Sequence, residues 1–443
     1  MNKSEIEIIK DAGIVGAGGA GFPTHIKLNT QVETLIINGA ECEPLINVDK
    51  QLLEFYFDKV YEGIKTAAGL TKAKKIVLAL KEKYKKVLKV VESFKQQEVK
   101  FEIFKLDNFY PAGDEQVLVY EVTGKIVPEG GIPLQVGVVV INVETLLNIY
   151  KANRGENVTD KYVTVNGEVK NPLTLMVPVG TSVKKLIDFC GGATIDEYSC
   201  LDGGPMMGKL VDINTYSVKK TTKSIIVLPE DSIIIQNKKR DISVAAKRAQ
   251  AICLSCRMCT DICPRYLLGH DLFPDEMMKR IYRGELRQDL KKYDYAYLCS
   301  DCGLCELYSC VVDLSPRSLF NYIKDKLTKE GIKNSHRRSD LEANDFREYR
   351  KVPVDRLEKR LEIDKYNSIT PLTDFSAEIG EVKLYLTQHV GAPSEPVVKV
   401  GDSVSKGDLI ADIPEEKLGA KVHSSISGEV KQLNSEYVLI ARQ

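Results

Sequence analysis

At 443 residues the chain is long enough for two to four domains with separate cores, and a hydrophobic content of 43% is ordinary for a globular protein. Its 62 basic and 62 acidic residues cancel, so no net charge favours nucleic acid as a partner. No run of about 18 apolar residues lacks a charge, and the first residues mix charged with apolar ones, so neither a transmembrane segment nor a signal peptide is expected. These features predict a cytoplasmic protein of several domains.

Residues 1–155 are predicted to form one α/β domain. A short helix ends at Gly13, and a glycine-rich loop, IVGAGGAGFP (14–23), leads to an apolar strand over 32–39. Over 74–106 two apolar runs flank an amphipathic stretch, which predicts a strand, a helix and a second strand. This alternation is typical of an α/β layer.

The glycine-rich loop allows two interpretations. Its residues 16–21 match the pattern G-x-G-x-x-G, but a helix precedes them where a dinucleotide fold would have a strand, and Phe22-Pro23 follows directly. Backbone N–H groups without side chains in the way suit a phosphate group. A tight turn would use the same glycines, so the pattern alone leaves both open.

The rest of the chain is predicted to hold three further modules. Residues 156–238 contain two β-rich runs and then a helix closed by Gly191-Gly192, which predicts a small β-grasp domain. Residues 239–330 read as helical and carry most of the cysteines. The charged, weakly patterned segment 331–375 suits a linker or a surface-wrapping segment. Short β-runs broken by glycines over 376–443 predict a small β-sandwich or barrel.

Eight of the eleven cysteines form two runs in the helical module. The runs are Cys253, Cys256, Cys259 and Cys263, and Cys299, Cys302, Cys305 and Cys310. The first run has the C-x2-C-x2-C-x3-C-P spacing of bacterial ferredoxins. The second has one more residue before its last cysteine, and Val311 stands where proline is usual. Three cysteines at this spacing typically bind one iron-sulfur cubane through their thiolates.

The ferredoxin pattern also predicts which cysteines bind together, because the fourth cysteine of each run binds the other cluster. Cluster one is then held by Cys253, Cys256, Cys259 and Cys310, and cluster two by Cys299, Cys302, Cys305 and Cys263. Structural zinc also takes four thiolates, but its ligands usually come as two separated C-x2-C pairs. The spacing therefore favours two neighbouring [4Fe-4S] clusters.

Two remaining features receive no catalytic role. Cys42, Cys190 and Cys200 lie outside the runs and are expected to be small apolar residues. Lys417 lies near a predicted hairpin tip in a stretch that looks like a biotinyl or lipoyl domain. The residues around it are not the usual modification signature, so the module is expected to be a docking surface.

Several segments resemble a known family. In chain order, GAGGAGFPTHIKL (16–28), NGAECEP (38–44), YPAGDEQVL (110–118) and VVVINVETL (138–146) resemble flavin-binding segments of the complex I NADH-oxidising subunit and, more closely, the RnfC family. The β-grasp unit looks like an SLBB domain, LDGGPMMG (201–208) like a recurring RnfC segment, and 376–443 like the RnfC barrel-sandwich hybrid. In two features the chain is similar to the PduS cobalamin reductases of propanediol utilisation. The barrel-sandwich module lies at the carboxyl terminus, and the second cysteine run has the same form.

The resemblance implies an FMN site. Its phosphate would be held by Gly16, Gly18, Gly19 and Gly21. The flavin and ribityl chain would lie near Asn38, Glu41 and Glu43, and the pocket would be completed by Gly113, Asp114, Glu115 and Asn142. NADH would stack on the flavin, with Phe22 as an aromatic neighbour and Lys27 as a phosphate partner.

The expected electron path runs from NADH through FMN and two [4Fe-4S] clusters to a corrinoid, or to an adenosyltransferase that holds one. Further candidate partners are a microcompartment shell and other redox proteins, and the expected location is the cytoplasm or a bacterial microcompartment. Two alternatives stay open. One is an RnfC-like or PrdC-like electron-transfer protein that feeds another reductase, such as proline reductase. The other is an iron-sulfur relay or adaptor without flavin.

Overall fold

The computed structural model describes residues 3–94, 96–283 and 290–442. Within those ranges the strands form five sheets, distributed over the predicted modules. None of the helices in this part of the chain combines the length and the apolar character that crossing a membrane requires.

The amino-terminal α/β domain has a parallel sheet at its centre. Its helices are α1 (Glu5–Asp11), α2 (Thr24–Leu28), α3 (Val48–Phe55), α4 (Phe57–Thr71), α5 (Lys85–Glu92), α6 (Glu115–Thr123) and α7 (Val143–Ala152). Its strands are β1 (Thr34–Asn38), β2 (Lys75–Lys81), β3 (Glu102–Leu106), β4 (Phe109–Tyr110) and β5 (Val138–Asn142). The sheet order is β3-β2-β1-β5, so the chain leaves β1 on one side to form β2 and returns on the other to form β5.

Helices cover both faces of this sheet, as parallel strands require. Leu35 and Ile37 of β1 pack into the larger core, which α1, α3, α4, α5 and α7 close. Ile36 points the other way and packs against Leu118 and Val119 of α6. The predicted strands and helices of this domain are therefore confirmed, and their apolar runs are continuous because both faces are buried.

The β-grasp domain follows. Its strands are β6 (Asp160–Gly167), β7 (Leu173–Pro178), β8 (Tyr198–Asp202), β9 (Lys209–Val211) and β10 (Ser224–Pro229), and its helices are α8 (Val183–Phe189) and α9 (Ile233–Lys239). The hairpin β6-β7 is antiparallel, and β10 pairs parallel to β6. Cys190 and Cys200 are fully buried in the core of this domain, as expected, whereas Cys42 of the first domain is only partly buried.

The helical domain carries the two cysteine runs. Its helices are α10 (Ile242–Ile252), α11 (Met258–Asp261), α12 (Pro264–Leu267), α13 (Pro274–Tyr282) and α14 (Pro316–Lys329). Leu319, Phe320, Ile323 and Leu327 of α14 recur at helical spacing and are all buried. They pack with cysteines of both runs in one core, which fixes the cysteine loops relative to the helices.

The segment 331–375 wraps the surface of the protein, which is one of the two expectations for it. It contains β11 (Val352–Pro353), α15 (Val354–Arg360) and β12 (Leu372–Asp374). β11 pairs with β4 of the first domain, and β12 adds an edge strand beside β7 of the β-grasp sheet. Leu357 and Leu361 are buried. The segment therefore connects the domains through packed side chains as well as through its backbone.

The carboxyl-terminal module is a small β-sandwich. Its strands are β13 (Glu381–Tyr385), β14 (Glu395–Pro396), β15 (Ser403–Val404), β16 (Leu409–Asp412), β17 (Val422–His423), β18 (Gly428–Leu433) and β19 (Tyr437–Ala441). They form two sheets, β13-β19-β18-β15 and β14-β16-β17. Its apolar side chains share one core with the β-grasp domain, so the two units pack as a single body. Lys417 is exposed in the connection between β16 and β17.

Two glycines of α4 allow a test of helix packing. A Cβ at Gly63 would lie 2.1 Å from the backbone oxygen of Leu146 in α7, whereas one at Gly69 would meet nothing within 4 Å. We expect Gly63→Ala to lower stability by about 1–3 kcal/mol through overpacking. Gly69→Ala, the matched control, should raise stability by about 0.5–1 kcal/mol because alanine favours the helix. Thermal unfolding of both variants checks this, and equal shifts would contradict the close helix contact.

Candidate functional site

The predicted flavin residues meet at the carboxyl edge of the parallel sheet. Asn38 ends β1 and Asn142 ends β5, and the two are paired in register. The strand order reverses between these neighbours, and ligands of open α/β sheets bind at such a switch point. The topology therefore favours this edge as the ligand site on grounds independent of the sequence motifs.

The glycine-rich loop lies against this edge. The N–H of Gly16 donates to the carbonyl of Phe22 at 3.0 Å, and the N–H of Ala17 donates to Oγ1 of Thr145 at 3.0 Å. A Cβ at Gly18 would lie 2.8 Å from Nδ2 of Asn142, whereas one at Gly19 would meet nothing within 4 Å. Gly18 is therefore needed for packing within the protein. Gly19 leaves open space beside the backbone.

The second and third predicted segments pack against each other. The amide of Asn38 donates to the carbonyl of Gly113 at 3.0 Å. A Cβ at Gly113 would lie 2.4 Å from the carbonyl oxygen of Ala40, so only glycine allows this approach. Lys27 forms an ion pair with Glu115 at 2.7 Å, which joins the glycine loop's helix to the third segment. The structure thus brings all four flavin segments together.

The carboxylate of Asp114 is held within the protein. It caps α6 by accepting the N–H groups of Gln116 and Val117, and it forms a two-point ion pair with Arg265 at 2.7 and 3.0 Å. Burial acts to raise the pKa of Asp114, but Arg265 and the cap hold it below its usual value. The sequence indicated neither the ion pair with Arg265 nor the capping of α6. Both interactions give Asp114 a structural role next to the flavin segments.

The carboxylate of Glu41 is only partly satisfied by hydrogen bonds among the described residues. It is buried, one oxygen accepts the N–H of Asp49 at 3.1 Å, and its Oε1 has no hydrogen-bond partner in the described part of the chain. Burial, with the neighbouring Asp49, raises the pKa of Glu41 to about 8. A buried acceptor without a donor is costly, and a flavin ring N–H or ribityl hydroxyl would satisfy it. The residues present therefore fit FMN.

A lysine of the β-grasp domain also reaches this site. Lys223 pairs with Asp49 and lies 3.8 Å from Oε1 of Glu41. Asn142 donates to the same Asp49 carboxylate at 2.9 Å. No sequence pattern indicated Lys223, because its place depends on the packing of two domains.

Glu43 belongs to a junction of three domains. Its carboxylate accepts the N–H groups of Met206 at 3.0 Å and Met207 at 2.8 Å, and lies 3.3 Å from the hydroxyl oxygen of Tyr110. Burial raises the pKa of Glu43. The segment LDGGPMMG, which the sequence left without a role, thus binds Glu43, and this carboxylate faces the junction.

The eight run cysteines line two separate cavities. One is lined by Cys253, Cys256, Cys259 and Cys310, and the other by Cys263, Cys299, Cys302 and Cys305. These are the two sets predicted from the exchange of fourth ligands. Within the described residues, no three His, Cys, Asp or Glu side chains converge at the distances of a single-ion site. The four thiols of each set instead surround a space between them.

The two cysteine loops share one backbone conformation. Ser255 and Arg257 of the first run have positive φ values of 49° and 67°, and Asp301 and Gly303 occupy the equivalent positions of the second with 62° and 79°. Backbone N–H groups also point at sulfur, from Asp301 to Cys299 at 3.4 Å and from Leu314 to Cys310 at 3.3 Å. Such donors stabilise negatively charged cluster thiolates, so both sites fit an iron-sulfur cluster.

The cluster-two set lies next to the flavin segments. The hydroxyl of Tyr110, itself 1% exposed, donates to the carbonyl of Cys302 at 2.7 Å. The Asp114–Arg265 ion pair gives a second link, because Arg265 follows Cys263 by two residues. In the cluster-one set Cys256 is exposed. Cluster two is therefore the inner site and cluster one the outer site.

Charged groups distinguish the two cavities. Arg317 lines the cluster-two cavity, pairs with Asp301 and donates to the carbonyl of Met206 at 2.7 Å. Asp275 lines the cluster-one cavity and pairs with Lys279 at 2.9 Å. Burial acts to raise the pKa of Asp275, but Lys279 and Thr260 hold it below the usual value. The guanidinium of Arg317 thus lies beside the inner site, whereas the outer cavity is lined by both the carboxylate of Asp275 and the guanidinium of Arg257.

Comparison with known families matches each module in turn. Residues 9–151 match the Nuo51 FMN-binding domain, 162–210 the SLBB domain, 252–315 a 4Fe-4S dicluster domain, and 365–443 the RnfC barrel sandwich hybrid domain. The chain is 37% identical over 438 residues to the cobalamin reductase PduS of Citrobacter freundii, which covers 98% of this chain and 96% of that one.

The PduS of Salmonella typhimurium is 38% identical over 440 residues, again covering 98% and 96% of the two chains. The chain belongs to the PduS cobalamin reductase family. One component of the Na(+)-translocating ferredoxin:NAD(+) oxidoreductase complex of Acetobacterium woodii is 32% identical over 267 residues, 59% of this chain and 58% of that one. These matches confirm the predicted fold class, the oxidoreductase class, and FMN and [4Fe-4S] clusters as cofactors of this PduS-family protein. The role of each site residue stays a prediction.

Gly19→Val tests the phosphate cradle. A Cβ at this position meets no protein atom within 4 Å, so we expect unchanged thermal stability of the flavin-free protein but loss of most bound FMN, because the side chain fills the open space at the loop. Gly380→Val is the matched control, since a Cβ there also meets nothing within 4 Å. Flavin content after reconstitution is the measurement, and full retention in Gly19→Val would show that the phosphate binds elsewhere.

Cys256→Ala tests the ligand sets. One cubane should be lost, so iron content should fall from about eight to about four per chain while flavin stays bound. The buried Cys200, which lies in neither set, supplies the control variant Cys200→Ala, whose iron content should not change. Unchanged iron in Cys256→Ala would contradict the assignment of this cysteine.

Arg317→Gln tests the charge beside the inner site. Loss of a nearby cation makes the added electron less stable, so the midpoint potential of cluster two should fall, and Arg317→Lys should restore much of it. The Cys256→Ala background leaves cluster two alone, so a redox titration followed by electron paramagnetic resonance reports on it directly. An unaltered potential in Arg317→Gln would mean that Asp301 already cancels the guanidinium charge.

Proposed function

We propose that this protein oxidises NADH and passes the electrons through FMN and two [4Fe-4S] clusters to a corrinoid. The observation that carries the proposal is the placement of the inner cysteine set against the flavin segments, through the Tyr110–Cys302 and Asp114–Arg265 contacts. A bound flavin can accept the two electrons of a hydride together and release them singly, which one-electron clusters require.

The chain's own residues have defined parts in this proposal. Gly19 leaves the space for the FMN phosphate, and the buried Glu41 offers a flavin N–H or ribityl hydroxyl a carboxylate oxygen that has no hydrogen-bond partner among the described residues. Phe22 is 38% exposed next to the glycine loop, where a nicotinamide or adenine ring can stack on it. Lys27 is proposed to meet a phosphate of NADH, for which its pairing with Glu115 has to loosen.

The corrinoid acceptor is supported by similarity. The two relatives that match nearly the whole chain are cobalamin reductases, whereas the component of the ferredoxin:NAD(+) oxidoreductase complex matches 59% of it. The proposed partner is a corrinoid, free or held by an adenosyltransferase, and the proposed location is the cytoplasm or a bacterial microcompartment.

The test uses anaerobically purified protein reconstituted with iron, sulfide and FMN. NADH should bleach the flavin and cluster absorbance, and added hydroxocobalamin should then be reduced to cob(II)alamin while that absorbance returns. Gly19→Val should lose the NADH-dependent bleaching but keep bleaching by dithionite. Bleaching by NADH without any corrinoid reduction would favour an RnfC-like role toward another reductase. Eight irons without flavin would favour a relay.

A further inference from the structure

The glycine-rich loop (14–23) is held by two other domains at both of its ends. Directly before the loop, the ammonium group of Lys220 in the β-grasp domain donates to the carbonyl of Gly13 at 2.7 Å. The same group donates to the carbonyl of Lys421 in the carboxyl-terminal module at 2.6 Å. Near the end of the loop, the N–H of Val390 in that module donates to the carbonyl of Gly21 at 3.1 Å. The loop therefore runs between two points that are fixed from outside its own domain.

Both points are closely packed. A Cβ at Gly13 would lie 2.3 Å from the carbonyl oxygen of Lys421. One at Gly21 would lie 2.8 Å from Cγ2 of Thr221 and 3.1 Å from the carbonyl oxygen of Gln388. The two glycines have positive φ values of 68° and 76°, which other residues rarely adopt. The ends of the loop thus have little freedom to move while these neighbours stay in place.

Gln388 connects the two points. Its side-chain oxygen accepts the backbone N–H of Lys220 at 2.9 Å, and its own carbonyl is one of the groups that pack on Gly21. Lys220 and Gln388 are each 3% exposed, so water does not replace these bonds easily. Because Thr221 follows Lys220 directly, a displacement of Lys220 would reach both ends of the loop.

Lys220 also carries a charge that the protein does not balance. Other lysines at this junction pair with carboxylates: Lys161 with Glu144, Lys223 with Asp49, and Lys421 with Asp11. In the described part of the chain Lys220 bonds carbonyl oxygens and pairs with no carboxylate. Burial lowers the pKa of Lys220 to about 7. A buried cation without a counter-ion is costly, and a phosphate bound in the neighbouring loop would offset part of that cost.

We propose that Lys220 is a positioning residue for FMN, which holds the glycine-rich loop in the conformation that receives the phosphate. The β-grasp domain and the carboxyl-terminal module are then parts of the flavin site, although the four flavin segments all lie in the first domain. The inference deepens the proposed function and rests on it for one point, the place of the FMN phosphate beside Gly19.

The first test measures the loop itself in the full-length protein with both clusters and without flavin. Lys220→Met keeps most of the side-chain length but donates no hydrogen bond. We expect the amides of residues 14–23 to exchange hydrogen for deuterium at least about fivefold faster in this variant, because the start of the loop is no longer held. Lys383→Met is the matched control, since Lys383 donates to the carbonyl of Thr215 at 2.8 Å between the same two domains.

The second test compares two flavins by equilibrium dialysis. Lys220→Met should raise the Kd of FMN at least about tenfold, because a loop that is not held in place has to be ordered on binding. Riboflavin lacks the phosphate, so its Kd should differ by less than about twofold between the variant and the wild type. Gln388→Met, which removes the acceptor of the Lys220 N–H, should change loop exchange and FMN binding in the same direction.

Three outcomes would overturn the proposal. One is unchanged exchange of residues 14–23 in Lys220→Met, and another is an unchanged Kd of FMN. The third is an equal loss of FMN and riboflavin affinity, which would mean a general structural role. If Lys220→Met fails to assemble its clusters, Gln388→Met decides by the same two measurements. An error in the phosphate site is seen separately, as full FMN retention in Gly19→Val, and none of these experiments needs NADH or a corrinoid.

Discussion

The hydrogen bonds around Glu43 hold the redox part of this molecule together. One carboxylate accepts N–H groups from the β-grasp domain and lies beside the hydroxyl of Tyr110 from the α/β domain, which donates its proton to the carbonyl of Cys302. Tyr110 and Met206 are fully buried, so at their bonds an unmade partner would cost far more than a made one contributes. The flavin segments, the β-grasp domain and the inner cysteine loop are thereby fixed relative to one another.

The same junction explains the composition of LDGGPMMG. A Cβ at Gly204 would lie 2.0 Å from Oε2 of Glu43, so a side chain there would displace the carboxylate. The carbonyl of Met206 accepts from Arg317 at 2.7 Å and from Lys238 at 3.1 Å. One short segment thus binds an anion with its N–H groups and cations with its carbonyl oxygen. This places the β-grasp domain in a structural role between the two redox domains.

Local sequence patterns predict the cysteine ligands, but they do not predict contacts between distant parts of the chain. Local spacing predicted three cysteines of each set because they are close together in the chain, and the ferredoxin pattern supplied the fourth from the other run. The pairing of Asp114 with Arg265, and the reach of Lys223 into the flavin site, join residues more than 100 positions apart and have no local signature. The strands within 331–375 have two or three residues each, too few to show a two-residue period. Sequence also treated Gly18 and Gly19 alike, although one packs on Asn142 and the other faces open space.

The two cysteine sets differ in how far they are buried. Cys263, Cys302 and Cys305 are each at most 9% exposed beneath the three-domain junction and Cys299 is only partly exposed, whereas Cys256 of the outer set reaches the surface. Arg317 lines the inner cavity and pairs with Asp301. The outer cavity is lined by Asp275, which pairs with Lys279, and by Arg257, which pairs with Asp261. Because the charges near both sites are balanced in pairs, burial rather than a fixed charge is what distinguishes the inner site from the outer one.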